Sequence, residues 1–310
     1  MDRKYDIITV LDTCVDLLVD LGDVSIEFNQ KEKWIPSFDM KMGGSSCIFA
    51  CQTAKLGLRT LGIGVVGTDA FGHVVMDELR ASGVDTTQVA QDSKVKTALG
   101  VALKRDSDRA ILTYSGTIGA VRPSMITDEL LASARHLHIG SYYLLDGIRD
   151  NVPDLLCRAK ALGLTVSLDT NWDPKEEWRL PDELFKYIDV FLPNENEVLL
   201  CSAKENFDEA CEYFMQRIPV VAIKQGSKGG TVLSACRSVA LVPEKVSVID
   251  TVGAGDSFDG GFLFGFLNGW TMEKCLKAGL YCGSMNTTRA GGTDGQADLE
   301  SLKKYMAQTD

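Results

Sequence analysis

Short apolar, β-branched runs alternate with helix-like segments along this 310-residue chain, and that alternation limits the folds open to it. Residues 6–11, 60–66, 137–139, 165–169, 190–192 and 220–224 read as buried strands. Between them, 47–56, 71–82, 150–162, 195–200 and 206–217 carry helical spacing, and Gly57 and Gly83 close the first two. Strands covered on both faces are apolar throughout, and parallel neighbours need a crossover helix to join them. The pattern predicts a three-layer, doubly wound α/β fold with a mostly parallel sheet. Ligands of such sheets bind beyond the carboxyl ends of the strands.

Two stretches, about 17–40 and 95–115, break the rhythm. The first holds alternating residues at 24–28 and 34–38. The second reads as a β-hairpin, 99–103 and 110–114 around a turn at 106–109. Both fit a small separate sheet acting as a lid on one domain that spans 1–310. No internal repeat or linker interrupts it.

Composition removes several function classes. A net charge of −11 argues against duplex nucleic acid or an anionic membrane surface as partner. Nine cysteines without a Cys-x-x-Cys pair, and three histidines, argue against structural zinc and a disulfide framework. Cys47 and Cys51 can share a helix face and read as small buried apolar residues. No signal-peptide pattern stands at the start, and no apolar run approaches the ~20 residues that span a bilayer. A reducing cytoplasm is the expected setting.

The stretch 250–261, Asp-Thr-Val-Gly-Ala-Gly-Asp-Ser-Phe-Asp-Gly-Gly, carries the strongest local signal. A strand-like run, 245–249, precedes it, and a helix-like apolar run, 262–266, follows. Gly253, Ala254 and Gly255 then leave N–H groups uncovered at a helix N-terminus, where free amides and the helix dipole favour an anion. Asp256 can cap that helix. A carboxylate beside such amides suits phosphoryl transfer: the amides hold charge on the phosphate, and the acid accepts a hydroxyl proton. An ordinary strand–turn–helix with a capping Asp uses the same residues.

Other candidates are similarly two-sided. Asp16, with Asp12 as second choice, lies after the first strand, where a carboxylate can grip two vicinal hydroxyls or be a solvated loop acid. Gly43 and Gly44 allow close backbone approach to a ligand, or simply precede a helix starting near Ser45. Asn194 and Glu197, three apart, can organise hydrated Mg2+ or cap a helix. Lys224 can reach a phosphate or remain a strand-end charge. Asn171, just past the strand 165–169, can face phosphates or support the site.

The stretch 250–261 closely resembles the C-terminal signature of the ribokinase-like (PfkB) carbohydrate kinases, and 43–72 resembles their N-terminal one. Motifs follow in family order from Asp6 to about Gly292. The resemblance implies an ATP- and Mg2+-dependent kinase acting on a primary hydroxyl of a small sugar or sugar-like alcohol. Asp256 is then the base, and the amides of Gly253, Ala254 and Gly255 form the anion hole. Gly43, Gly44 and Ser45 line the sugar site, with Asp16 on substrate hydroxyls. Asn194 and Glu197 match the metal–phosphate motif, and Gly226 and Lys224 a nucleotide-contacting loop. Gly283 and Asn286 fall where relatives wall the adenine. Asp250 stands where relatives bind K+, beside carbonyls from 290–292. Relatives that pair their lids across a two-fold axis make a homodimer through 17–40 and 95–115 the expectation.

The departures concern the acceptor. Many sugar kinases carry Asn at the positions of Cys14 and Ile48, and Lys or Ala at that of Ser45. Members acting on keto-acid sugars often carry Arg at the position of Asp173, whose absence disfavours an acidic sugar. A nucleoside or vitamin-like alcohol is the alternative acceptor, for which Phe28, Trp34 or Phe38 would supply an aromatic wall. A non-catalytic sugar or nucleotide sensor is the alternative from another class, and the intact Asp256 argues against it.

Overall fold

In the computed structural model, which describes residues 3–105, 108–234 and 237–308, the alternation becomes two sheets. Strand β1 (Tyr5–Val10) leads into β2 (Cys14–Asp20) and β3 (Ser37–Gly43), then helix α1 (Ser45–Lys55). Next come β4 (Thr60–Gly67), α2 (Ala70–Ala81), β5 (Asp85–Asp92), β6 (Ala98–Arg105) and β7 (Asp108–Tyr114). The centre continues with α3 (Asp128–Ala132), β8 (Ala134–Ile139), α4 (Val152–Ala161), β9 (Thr165–Leu168) and β10 (Val190–Phe191). The last third holds α5 (Glu195–Ser202), α6 (Phe207–Met215), β11 (Val220–Lys224), β12 (Gly230–Ser234), β13 (Arg237–Leu241), α7 (Ala254–Leu267), α8 (Met272–Asn286) and α9 (Leu299–Gln308).

The large sheet runs β13-β12-β11-β10-β9-β8-β1-β4-β5 and is parallel from β11 to β5. Period-two alternation sorts its side chains between two cores. Ile8, Val10, Phe191, Val221 and Ile223 pack with α4 and α6 on one face. Ile7, Val190, Val220 and Ala222 pack with α1, α7 and α8 on the other. The three-layer expectation holds. The lid is the four-stranded sheet β3-β2-β6-β7, in which β6 and β7 form the expected antiparallel hairpin. Of its expected turn, Asp106 and Ser107 lie outside the described residues.

Two expectations need correction. The segment 24–28 forms no strand; Leu21 to Pro36 is irregular and largely exposed. The run 245–249 is also not a strand. β13 already ends that edge of the sheet, and the run stays mostly exposed, tied through Ile249 N–H to Thr287 O at 2.8 Å. The polar edge strand β5 escaped the sequence reading because it lacks a continuous apolar run, and the short β12–β13 hairpin escaped it as well. Among the described residues, no helix is long and apolar enough to cross a membrane.

α7 is pressed between α1 and α8 through its glycines. A Cβ on Gly260 would lie 2.7 Å from Gln52 Cγ. One on Gly261 would lie 2.6 Å from Ala278 O and 2.8 Å from Cys282 Sγ. The helix N-terminus is thereby held beside the carboxyl ends of the strands. We expect Gly261→Ala to cost about 1–3 kcal/mol through overpacking against a backbone carbonyl. A lowered denaturant midpoint with retained helix content is the check, and an unchanged midpoint would refute this packing.

Candidate active site

A cavity of about 910 Å³ opens between the lid and the carboxyl ends of β1, β9 and β11. It collects Asp12, Asp16, Gly44, Ser45, Asn171, Asn194, Glu197, Lys224, Gly226, Gly253, Gly255 and Asp256 from distant parts of the chain.

Gly253 caps α7 with φ +72°, a left-handed conformation that favours glycine. A Cβ there would also lie 2.9 Å from Gly292 Cα and from Ile48 Cγ2. Ala254, Gly255 and Asp256 form the first helical turn, whose N–H groups have no acceptor within the helix. The turn is fixed from below. Asn286, fully buried, donates from Nδ2 to Val252 O at 2.7 Å. Asp250 accepts Val252 N–H at 3.1 Å and Gly291 N–H at 3.0 Å, joining the turn to the loop 290–292. Gly283 lets α8 approach Ala254 O. Gly283 and Asn286 thus support the turn and are not among the residues that line this cavity.

The half-buried Asp256 carboxylate faces this turn. Burial and the neighbouring Asp169 push it up to about 7, opposed by Lys224 and a hydrogen bond from Ser45. An acid poised near neutrality suits a proton acceptor.

At the lid side, Asp16 stands on β2. Gly43 on β3 and Gly100 on β6 make room for it, since a Cβ on either would come within 2.5 Å of its carboxylate. Asp12 is more deeply set and serves α1. Its oxygens accept Ser45 N–H at 3.0 Å and Ser46 N–H at 2.9 Å, and the Ser141 hydroxyl as well. Burial still pushes it up to about 6. Gly44 is demanded by this cap, because at φ +84° its Cβ would fall 2.2 Å from Asp12 O. The glycine pair therefore places two acids, and only Gly44 reaches the cavity wall. Ile48 and Cys14 also line it.

On the opposite side, Asn194 and Glu197 form a reciprocal capping box at the start of α5 and also face the cavity. Glu197 accepts Asn194 N–H at 2.8 Å and Nδ2–H at 2.7 Å, and burial, then Asp169, raise it to about 7. The cap and the cavity position are both real. Asn171 donates to Ser45 Oγ at 2.9 Å, linking the two sides. Gly226, at φ +56°, has open space around it.

Lys224 is more engaged than its sequence position suggests. Its ammonium donates to Asp169 Oδ2 at 2.8 Å and to both Asp259 oxygens at 3.1 Å. Asp259 was missed, although its place three residues after Asp256 on one helix face is a legible signal. Ser141, Tyr143, Asp146 and Trp172 also border the site without a motif to announce them.

The chain is similar to known sugar kinases in sequence and in fold. The chain is 26% identical over 328 residues to the 5-dehydro-2-deoxygluconokinase of Listeria monocytogenes serotype 4b, covering 100% of this chain and 98% of the relative. Its fold matches the E. coli structure described as a ribokinase II in complex with ATP and Mg2+, with TM-score 0.84, 23% identity and coverage of 98% and 99%. It also matches Arabidopsis thaliana ribokinase complexed with ribose and ATP, with TM-score 0.83, 21% identity and coverage of 97% and 98%. Residues 15–298 match the family described as pfkB family carbohydrate kinase, and the chain, with its ribokinase-like fold, belongs to that family of kinases.

Proposed function

We propose that this kinase transfers the γ-phosphoryl group of ATP to a primary hydroxyl of a small, neutral sugar or sugar-like alcohol. The observation that carries the reading is Asp256 poised beside the amide-rich start of α7, in one cavity with Asp16. Asp16 takes the acceptor's secondary hydroxyls. The primary hydroxyl oxygen bonds to the γ-phosphorus as the bond to the β,γ-bridging oxygen breaks and ADP leaves. The hydroxyl proton passes to Asp256, and the amides of Gly253, Ala254 and Gly255 hold the charge on the moving group. The lid excludes water as a competing acceptor.

Asn194 and Glu197 fit a hydrated Mg2+: Glu197 keeps oxygen lone pairs beyond its two bonds to Asn194 and is buried, with no ion pair among the described residues. Such an ion, when bound, neutralises charge on the nucleotide phosphates. K+ fits beside the turn in the same reading. Asp250 joins 252 to 291, and each oxygen retains a lone pair for a cation.

The neutral acceptor rests on charge. Among the described residues, Lys224 is the one cation lining the cavity, and two acids already hold it. Asp12, Asp16 and Asp146 line it as well. Asp173 offers no substitute for a cation; its carboxylate accepts N–H groups of Lys175, Glu177 and Trp178 at 2.8–2.9 Å. The acceptor of this chain thus differs from the sugar acid for which the Listeria relative is named. A nucleoside loses the support expected from the lid, because Phe28, Trp34 and Phe38 point away from the cavity into solvent.

Those same side chains support a homodimer. Cross-strand partners Val19 and Phe38, and Leu17 and Met40, share the lid face turned away from the cavity, with Leu112 beside Val101. Phe38 and Leu112 are 68% and 63% exposed there, and Trp34 is 90% exposed nearby. A patch of this kind calls for a partner, and a second lid offers the same apolar chemistry.

Four outcomes follow. Asp256→Asn should lower kcat by about 10²–10⁴-fold while ATP still binds; near-normal turnover would end the assignment. The same variant should be more stable than the parent at pH 8. Asp12, Glu197 and Asp256 are raised from 3.8, 4.5 and 3.8 to about 6, 7 and 7. Raised acids take up protons on folding, so the stability they contribute is complete below about pH 4 and lost as pH rises through 6 to 7. The gain in melting temperature should therefore shrink as pH falls below 7 and vanish by about pH 4.

In a panel of ketohexoses, ribose, nucleosides, pyridoxal and keto-deoxygluconates, a neutral sugar should exceed the acids in kcat/KM by about tenfold or more, the worth of about 1.4 kcal/mol of charge repulsion. An acid as the best acceptor would refute the charge argument. Sedimentation at micromolar concentration should give a dimer, and a single species near 33.8 kDa with or without acceptor would exclude it.

A further inference from the structure

Beneath Asp256 lies a charge cluster that the phosphoryl-transfer scheme leaves unused. Asp169 follows the end of β9, Lys224 ends β11, and Asp259 sits one turn after Asp256 on α7. Asp169 and Asp259 are 5% and 1% exposed. One carboxylate oxygen from each of Asp169, Asp256 and Asp259 lies within 4.8 Å of the others. Lys224 binds the outer two and leaves Asp256 to face the cavity. Its aliphatic stem runs under Gly255, so the ammonium is directed past the anion turn into the acids.

Acids at this separation cannot all ionise in a water-poor site. The groups facing Asp256 come from every element around it. Asp12 comes from the link after β1, and Ser45 and the Cys47 thiol from α1. Asp169 follows β9, Glu197 comes from α5, Lys224 from β11 and Asp259 from α7 itself. All the charged ones but Lys224 are acidic, so where the protons reside depends on that one ammonium. Burial drives Asp259 well above the usual carboxylate range, while Asp169, opposed by burial but held by Lys224, falls below it. With a proton on Asp259, the clamp Asp169–Lys224–Asp259 is electrically neutral, and Asp256 can carry the cluster's negative charge.

We propose that Lys224 is a positioning residue for the transfer: clamped between Asp169 and Asp259, it offsets the acids around Asp256 and so leaves that carboxylate able to accept the acceptor's proton. This gives Lys224 an internal partner set in place of the phosphate contact expected from its motif. The inference rests on Asp256 being the base, and the test separates the two.

The test is the pH dependence of kcat at saturating acceptor and ATP–Mg2+. In Lys224→Met the acid limb should move up by at least about one unit, with turnover near pH 7 reduced about tenfold and recovered at alkaline pH. Adding Asp169→Asn removes the charge that Lys224 offset and should return the limb towards that of the parent enzyme. Asp169→Asn alone, with Lys224 intact, should move it down, which provides a reading even if Lys224→Met does not fold. Lys224→Arg should keep the limb in place. Limbs unmoved in Lys224→Met and Asp169→Asn, with turnover lowered equally at every pH, would overturn the proposal. Near-normal turnover in Asp256→Asn would instead overturn the base assignment itself.

Discussion

The position of the first turn of α7 is the constraint on which the site depends. Amides hold a phosphate only if they stay where charge develops, and a helix end is free to fray unless it is tied down. Here the ties come from several directions. Gly260 and Gly261 bring α7 against α1 and α8, and Gly283 brings α8 up to Ala254 O. Asn286 holds Val252, and Asp250 holds Gly291 to the same turn. Ile48 then fills the space that Gly253 and Gly292 leave between them. A turn held this way is organised before any nucleotide arrives.

The price of that organisation is electrostatic. Asp12, Glu197 and Asp256 are each raised by burial, so the fold retains acids where their charged forms are disfavoured. Lys224 offsets only part of this. Structure that works against its own stability is concentrated where chemistry is expected, as in other enzymes whose function trades against stability.

Much of the fold was legible because the parallel strands are apolar throughout and their helices have regular spacing. The edges were not. β5 carries no such run, while 245–249 has the right residues but no neighbouring strand to pair with. In the site, Asp256, Asp16 and Gly253 come from motifs far apart in the sequence and line one cavity. Asn286 and Gly283 show the limit of motif reading, for one sequence pattern serves a pocket wall and a supporting layer equally well. The Lys224 clamp was illegible for another reason. Asp169 and Asp259 meet Lys224 only through the packing of α7 across β9 and β11, and nothing in local spacing reports that.

The order of the chain also has a kinetic consequence. β1 lies inside the large sheet, between β8 and β4, and Asp12 directly follows it. Asp256 leaves the ribosome roughly 240 residues after Asp12, on the order of ten to fifty seconds later at about 5–20 residues per second. Through that interval the chain presents an unfinished sheet whose second core, built largely from α7 and α8, does not yet exist. Long-range parallel pairing of this kind folds slowly. The cavity is therefore among the last features this chain completes during its synthesis, and a nascent protein stalled before residue 256 would carry a lid and a half-built pocket without the acid proposed as its base.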